Sequence, residues 1–333
     1  MSTRTGFPTL IHAFFSDWLG RERDLSPHTV RSYRDTWRLF LRFLEQHCSR
    51  SIQRLALSDL RAADVLAFLE HQERTHHISS GTRNCRLAAV RALFDFAARR
   101  DPAALAQAAE IRRIPLRRGV RRPICYLEQQ EVEALLAQPD RSTAEGQRDH
   151  TLIAFLFNTG ARIQEALDLC PQAIRFETPG SVKLFGKGRK ERICPLWPET
   201  ADLLAALLRR QPRAPDQPIF VNRYGDRLGA SGVRGKLAQY VAAAAKTVPT
   251  IAHKRISPHT FRHSTAVHLI ASGVDITVIR AWLGHAELET TAHYAQANLQ
   301  TKREALARLS PPVGSGRVRW KRDASVLAWL DSL

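Results

Sequence analysis

The chain is 333 residues long and carries 50 Lys and Arg against 32 Asp and Glu, a net charge of +18. That length allows two domains with generous cores, and a hydrophobic content of 44% excludes wholesale disorder. So large a basic excess points to a polyanion, nucleic acid or an anionic membrane, although a soluble enzyme that happens to be basic has the same composition.

The membrane alternative is weakly supported at this level. The longest apolar runs, such as 152–157, fall far short of the ~20 residues that a spanning helix needs. His12 and Asp17 interrupt the early hydrophobic residues, so no secretory signal pattern is expected. Cys48, Cys85, Cys125, Cys170 and Cys194 are dispersed without a C-x-x-C pair, which suits a reducing compartment and argues against a disulfide framework or a zinc ribbon. A cytoplasmic location is expected.

Residues 1–100 read as an all-helical bundle. A short helix is predicted over 6–19. Ser26-Pro27 then supplies a cap and a first-turn proline. Behind them Val30, Tyr33, Trp37, Phe40 and Leu44 recur at spacings of three and four, one apolar face of a long helix. Another short helix is predicted over 61–76. A second long one starts near Gly81, with Leu87, Val90, Phe94 and Ala97 inward and Arg83, Arg86 and Arg91 on its other sides. Residues 101–122 read as a basic linker, because 111–122 carries six arginines and no acid. Such a segment is either a solvated connector or a strap against phosphates.

From 123 to 310 the pattern is mixed, mainly helical with a small antiparallel sheet. Helices are predicted at 128–137, 146–158, from about Arg162, and at 198–210, 231–246, 258–272, 275–283 and 296–309. Residues 181–185 and 190–196 flank G-K-G-R as a β-hairpin with a glycine-rich tip. The tail 311–333 opens on P-P-V-G-S-G and then places Val326, Trp329, Leu330 and Leu333 on one face of a short helix.

Four stretches carry candidate chemistry: T-G-A-R-I-Q-E (159–165), G-K-G-R-K-E-R (186–192), S-P-H-T-F-R-H (257–263) and L-G-H-A-E-L-E-T-T-A-H-Y (283–294). Arg162 stands three before Glu165, which can hold its guanidinium or merely form a local ion pair. The lysine loop lacks the G-x-x-x-x-G-K-[ST] spacing, so Lys187 is a groove-reaching acid or phosphate contact, or part of a solvated turn. His259 and Arg262 share the first turn of one helix, where unpaired N–H groups suit a phosphate oxygen. His263 is four from His259, but Thr260 stands where a zinc-protease helix needs glutamate, so no metal site is expected. Tyr294, nine after His285, has the usual structural alternative for a tyrosine. Each stretch alone is weak.

In this order and spacing the four stretches resemble the catalytic signature of the tyrosine recombinase, or phage integrase, family. Arg162, Lys187, His259, Arg262, His285 and Tyr294 match that family's active site, with Glu165 as its supporting acid. The resemblance spans roughly residues 8–309 and a simple two-domain, Xer-like layout without an arm-binding domain. It implies a SAM-like core-binding domain, which clamps DNA, followed by a mixed α/β catalytic domain. It also implies site-specific recombination through a 3′-phosphotyrosine and a Holliday junction, with no cofactor or metal. The implied partner is double-stranded DNA bearing a core site. The implied assembly is a homotetramer on two such sites, alone or with a related recombinase. Arg83, Arg86, Arg91, Arg112, Arg113, Arg117, Arg118, Arg121, Arg122 and Lys190 are then the candidate DNA contacts. A type IB-like topoisomerase and a catalytically silent DNA-binding accessory factor are the competing readings. The tail and the missing arm domain lean toward transposition or another mobile element.

Overall fold

The computed structural model describes residues 6–48, 50–119, 123–186 and 191–284. It forms two units, Met1–Arg122 and Pro123–Leu333.

In the first unit α1 (Phe7–Ala13) continues as a wider π-helical stretch, Phe14–Glu22. Ser26 Oγ accepts the Thr29 N–H at 3.3 Å, and Pro27 opens α2 (Pro27–Cys48) as its cap pattern predicts. Then follow α3 (Ala62–His76), α4 (Ser80–Arg100) and α5 (Leu105–Arg113). The apolar faces read from the sequence are the ones that pack. Trp37, Phe40 and Leu44 from α2 and Leu87, Val90, Phe94 and Ala97 from α4 are buried, with Val30 and Tyr33 packed at the edge. Aromatic rings fill the centre, Phe40 lying 5.0 Å from Phe68 and Phe14 stacking 5.4 Å from Trp18. The one polar group Trp37 brings inside is satisfied, since its Nε1–H donates to the Ala89 carbonyl at 3.2 Å.

Two expectations need correction here. Most of the stretch read as a linker is part of this unit's core: α5 lies within it, and Ala104, Ala108, Ile111 and Ile114 are buried. Arg83, expected on an outer side of α4, is 3% exposed. It donates Nη1–H to the Pro115 carbonyl at 3.2 Å and pairs with Glu73. Arg91, half-buried, donates to the carbonyls of Arg112 and Ile114, and Asn84 exchanges two hydrogen bonds with the Arg117 backbone. Arg86 donates to the Gln72 side chain. Arg83 and Arg91 hold the exit chain onto α4 and Arg86 ties α4 to α3, and this use of their donors is why the surface expectation fails. Arg112 is partly engaged by Asp95 at 2.6 Å; Arg113, Arg117 and Arg118 are exposed. Arg121 and Arg122 lie outside the described residues.

The second unit is built around α7 (Ala144–Thr159), which packs on α11 (Pro258–Ala271) and α9 (Pro198–Arg210). Before it stands α6 (Gln129–Leu136), and after it a short α8 (Ile163–Leu167). The three-stranded antiparallel sheet runs in chain order: β1 (Ile174–Arg175), β2 (Ser181–Phe185), β3 (Glu191–Pro195). In the hairpin Leu184 faces Arg192, Val182 faces Cys194 and Lys183 faces Ile193. The unit continues through α10 (Ala230–Ala244) and α11 to α12 (Ile276–Leu283). The helix predicted at 296–309 and the tail 311–333 lie outside the described residues. Among the described residues no helix is long and apolar enough to cross a membrane.

The start of α7 is unusually tight. Thr143 Oγ1 caps it by accepting the Gly146 N–H at 3.0 Å, while a Cβ on Gly146 would lie 2.0 Å from the Asp140 carbonyl oxygen. Glycine-to-alanine exchange inside a helix ordinarily stabilises by about 1 kcal/mol. Here the added carbon meets backbone, and such overpacking costs about 1–3 kcal/mol or more. Gly146→Ala is therefore expected to lower the urea midpoint at an unchanged m-value; a raised midpoint would show that the Asp140 turn yields freely.

Candidate functional site

The left-handed Gly160 (φ +59°) stops α7 and turns the chain so that Arg162 becomes the N-terminal cap of α8. A Cβ at Gly160 would come within 2.5 Å of the Leu283 side chain, so the turn also lets the end of α12 approach closely. Arg162 and Glu165 are tied twice. The Arg162 N–H donates to Glu165 Oε2 and its Nη1–H to Oε1, both at 2.8 Å. The first bond is a helix cap; the second holds the guanidinium. This exceeds the local surface pair considered from sequence, because Glu165 is only 7% exposed.

A third group completes the arrangement, and sequence reasoning missed it. Arg192 of β3, 9% exposed, donates Nη2–H to Glu165 Oε2 at 2.5 Å and Nε–H to the Trp282 carbonyl at 3.0 Å. Along β3 the usual order is inverted: Arg192 faces in with Cys194, while Ile193 is 70% exposed. The available signal was this parity, since Arg192, Cys194 and Leu196 alternate onto one face of the strand.

Arg262 projects from α11 one turn in from its start and is 3% exposed. It donates Nη1–H to the Gly160 carbonyl at 2.7 Å and Nη2–H to the Leu283 carbonyl. His259, one turn earlier on the same face, is exposed and feels the charges of both Arg262 and Arg162. Burial of its surroundings pulls its titration below the ordinary histidine value, Arg262 and Arg162 add to the fall, and Glu165 opposes it. A neutral imidazole at neutral pH can accept a proton. His263 is lowered similarly, by burial, then His259 and Arg262.

The structure thus brings together Arg162 and Glu165 with His259 and Arg262, two places in the chain, and Arg192 adds a third. Two cations beside a neutral imidazole are suited to holding an oxyanion while a proton moves. Lys187, Lys190, His285 and Tyr294 lie outside the described residues. The elements leading to them are in place: β2 ends at Phe185, β3 resumes at Glu191, and α12 ends at Leu283 with a left-handed Gly284.

Comparison with known proteins converges on one family. Residues 125–301 match the Phage integrase family, and residues 12–101 match the Phage integrase, N-terminal SAM-like domain. A Sinorhizobium fredii protein named as an integrase/recombinase, y4rC, is 37% identical over the full length of both chains. Tyrosine recombinase XerC of Chlamydia muridarum is 31% identical, covering 87% of this chain and 94% of its own. Among solved structures, XerH site-specific recombinase in a post-cleavage complex with a palindromic difH substrate superposes with a TM-score of 0.65 at 22% identity, covering 86% of this chain and 81% of its own. A lambda integrase fragment, solved as a dimer on a core site, gives 0.66 at 12% identity, covering 89% and 97%. The fold is that of the tyrosine recombinases, a helical SAM-like domain followed by a catalytic domain with a small sheet. The chain belongs to the phage integrase family and is a site-specific recombinase of the tyrosine type.

The carboxylate between the arginines makes stability depend on pH. Burial alone would raise Glu165, but the Arg192 hydrogen bond and charge, followed by the backbone and side-chain hydrogen bonds of Arg162, outweigh it and hold the carboxyl below its usual range. Its contribution is therefore complete above the unfolded value and lost as pH falls through the lower folded one. Glu165→Gln is expected to reduce the unfolding free energy by about 3 kcal/mol at pH 7. The gap from wild type should close as pH drops below about 4.3, measured by urea unfolding across pH 3–7. A gap independent of pH would contradict the assignment.

Proposed function

We propose that this recombinase cleaves and rejoins duplex DNA at a specific core site through a 3′-phosphotyrosine at Tyr294. Strand exchange would pass through a Holliday junction between two sites held by four copies. The tyrosine oxygen attacks phosphorus, and the bond to the 5′-oxygen breaks. In this reading His259 receives the phenolic proton and Lys187 protonates the departing 5′-oxygen. Arg162 and Arg262 hold the two non-bridging oxygens, where negative charge grows in the transition state, and His285 donates a further hydrogen bond. The freed 5′-hydroxyl of a second duplex then attacks the phosphotyrosine, restoring phenol and phosphodiester. Its energy is conserved, so no external donor is required.

One observation carries this reading. The guanidiniums of Arg162 and Arg262, a hundred residues apart in sequence, are both tied to the C-terminal end of α12, Arg262 directly at the Leu283 carbonyl and Arg162 indirectly through Glu165 and Arg192, and the chain runs from there to His285 and Tyr294. Family membership supports it, as do structural neighbours solved on DNA, among them XerH with difH. Exposed Arg113, Arg117 and Arg118, with Arg121, Arg122 and Lys190, are the candidate backbone contacts. The full-length similarity to y4rC suits a role in moving DNA between sites.

A nicked duplex that loses its short 5′-fragment after cleavage traps the intermediate. Wild type is expected to form a detergent-stable protein–DNA adduct and Tyr294→Phe none; an adduct with the phenylalanine variant would refute the nucleophile. Binding to the same duplex should weaken steeply with salt, each neutralised phosphate contributing a log–log slope of about −0.9. A flat dependence would argue against backbone contacts by the basic residues.

A further inference from the structure

We infer that Arg192 is a positioning residue for the proposed reaction. From the buried face of β3 it joins the Glu165–Arg162 pair to the last turn of α12, and so sets the register between a phosphate-holding guanidinium and the chain that continues to His285 and Tyr294. The inference rests on the reading above.

The geometry requires the planar fork of an arginine. Arg192 Nη2–H meets Glu165 Oε2 at 2.5 Å, while Nε–H meets the Trp282 carbonyl at 3.0 Å. One rigid group therefore spans two elements that share no sequence neighbourhood, and a lysine ammonium on a flexible stem cannot reproduce both directions. The carbonyls that end α12 have no partner within the helix. The Trp282 oxygen is taken by Arg192 and by the Cys194 thiol at 3.3 Å, and the Leu283 oxygen by Arg262. The end of α12 is thus held by two arginines, each fastened on its other side beside Arg162, at Glu165 or at Gly160. Packing leaves little play: a Cβ on Gly284, the left-handed cap of α12, would sit 3.0 Å from Arg192 Cδ.

Stability alone does not account for an arginine there. Its strand neighbours on the same face, Cys194 and Leu196, are buried apolar residues. Replacing a buried ion pair by apolar groups of similar size is often neutral or stabilising. Apolar residues at 165 and 192 together would satisfy burial; they would not fix Arg162 against α12.

The test uses the full-length protein and the nicked duplex, with three readouts: single-turnover cleavage at saturating protein, the protein concentration at half-saturation, and urea unfolding. Arg192→Lys keeps a cation beside Glu165. It is expected to cleave roughly 10- to 100-fold more slowly, as a misplacement near 1 Å would cause, with half-saturation and midpoint little changed. Glu165→Gln with Arg192→Met removes the buried pair together, leaving only the part-exposed Arg162 without its carboxylate, and is expected to fold and show a similar loss. The inference is overturned if Arg192→Lys or the double variant cleaves at the wild-type rate. It is also overturned if the loss in both is matched by lost DNA binding or by unfolding. Absence of an adduct with wild type, or its persistence with Tyr294→Phe, would instead bring down the parent reading.

Discussion

A carboxylate with almost no access to water sits between two guanidiniums, and the rest of the second unit is arranged around that fact. Removing an ion from water costs several kcal/mol, so Glu165 is tolerable inside only because its oxygens are met by Arg162 Nη1, the Arg162 backbone N–H and Arg192 Nη2. These bonds have consequences at three levels. They start α8, they aim a half-exposed arginine, and they lock a strand of the hairpin to a helix that follows some ninety residues later. Removing either partner strands a charge, so the local fold and the site geometry are the same problem.

The long helices were legible in sequence because each has one buried face. Spacings of three and four in Val30–Leu44 and Leu87–Ala97 predict the surfaces that pack. Gly160 and Gly284 carry the left-handed angles that end α7 and α12. Helix α5 was hidden by composition. Its arginines drew attention to charge, while Ala104, Ala108, Ile111 and Ile114 ran through the same stretch at helical spacing and are the residues that are buried. Net charge has the same weakness. It selects a polyanionic partner for the whole chain but does not say which arginines face it, and Arg83 and Arg91 use their donors on backbone carbonyls of their own unit.

The site was legible only in part, for a related reason. Arg162 with Glu165, and His259 with Arg262, are local spacings that a helix turns into shared faces. That these two pairs meet is a tertiary fact, visible in sequence only through resemblance to a family. Arg192 was missed because its chemistry depends on strand parity and on a partner 27 residues earlier, where no local pattern advertises an ion pair.

The two arginines that would hold phosphate are oriented by different means, and the difference bears on catalysis. Arg162 is aimed by a carboxylate, which cancels charge locally. Arg262 is aimed by carbonyls at Gly160 and Leu283, at the ends of α7 and α12, where the partial negative charge of a helix terminus orients a cation without neutralising it. Among the described residues, Arg162, Arg192 and Arg262 therefore stand against the single carboxylate of Glu165, leaving a local excess of two positive charges. A phosphodiester carries one negative charge, and the pentavalent transition state carries more. A surplus fixed before substrate arrives favours the second over the first without reorganisation during the reaction. A second carboxylate for Arg192 would cut that surplus from two charges to one; sharing Glu165 between Arg162 and Arg192 keeps it.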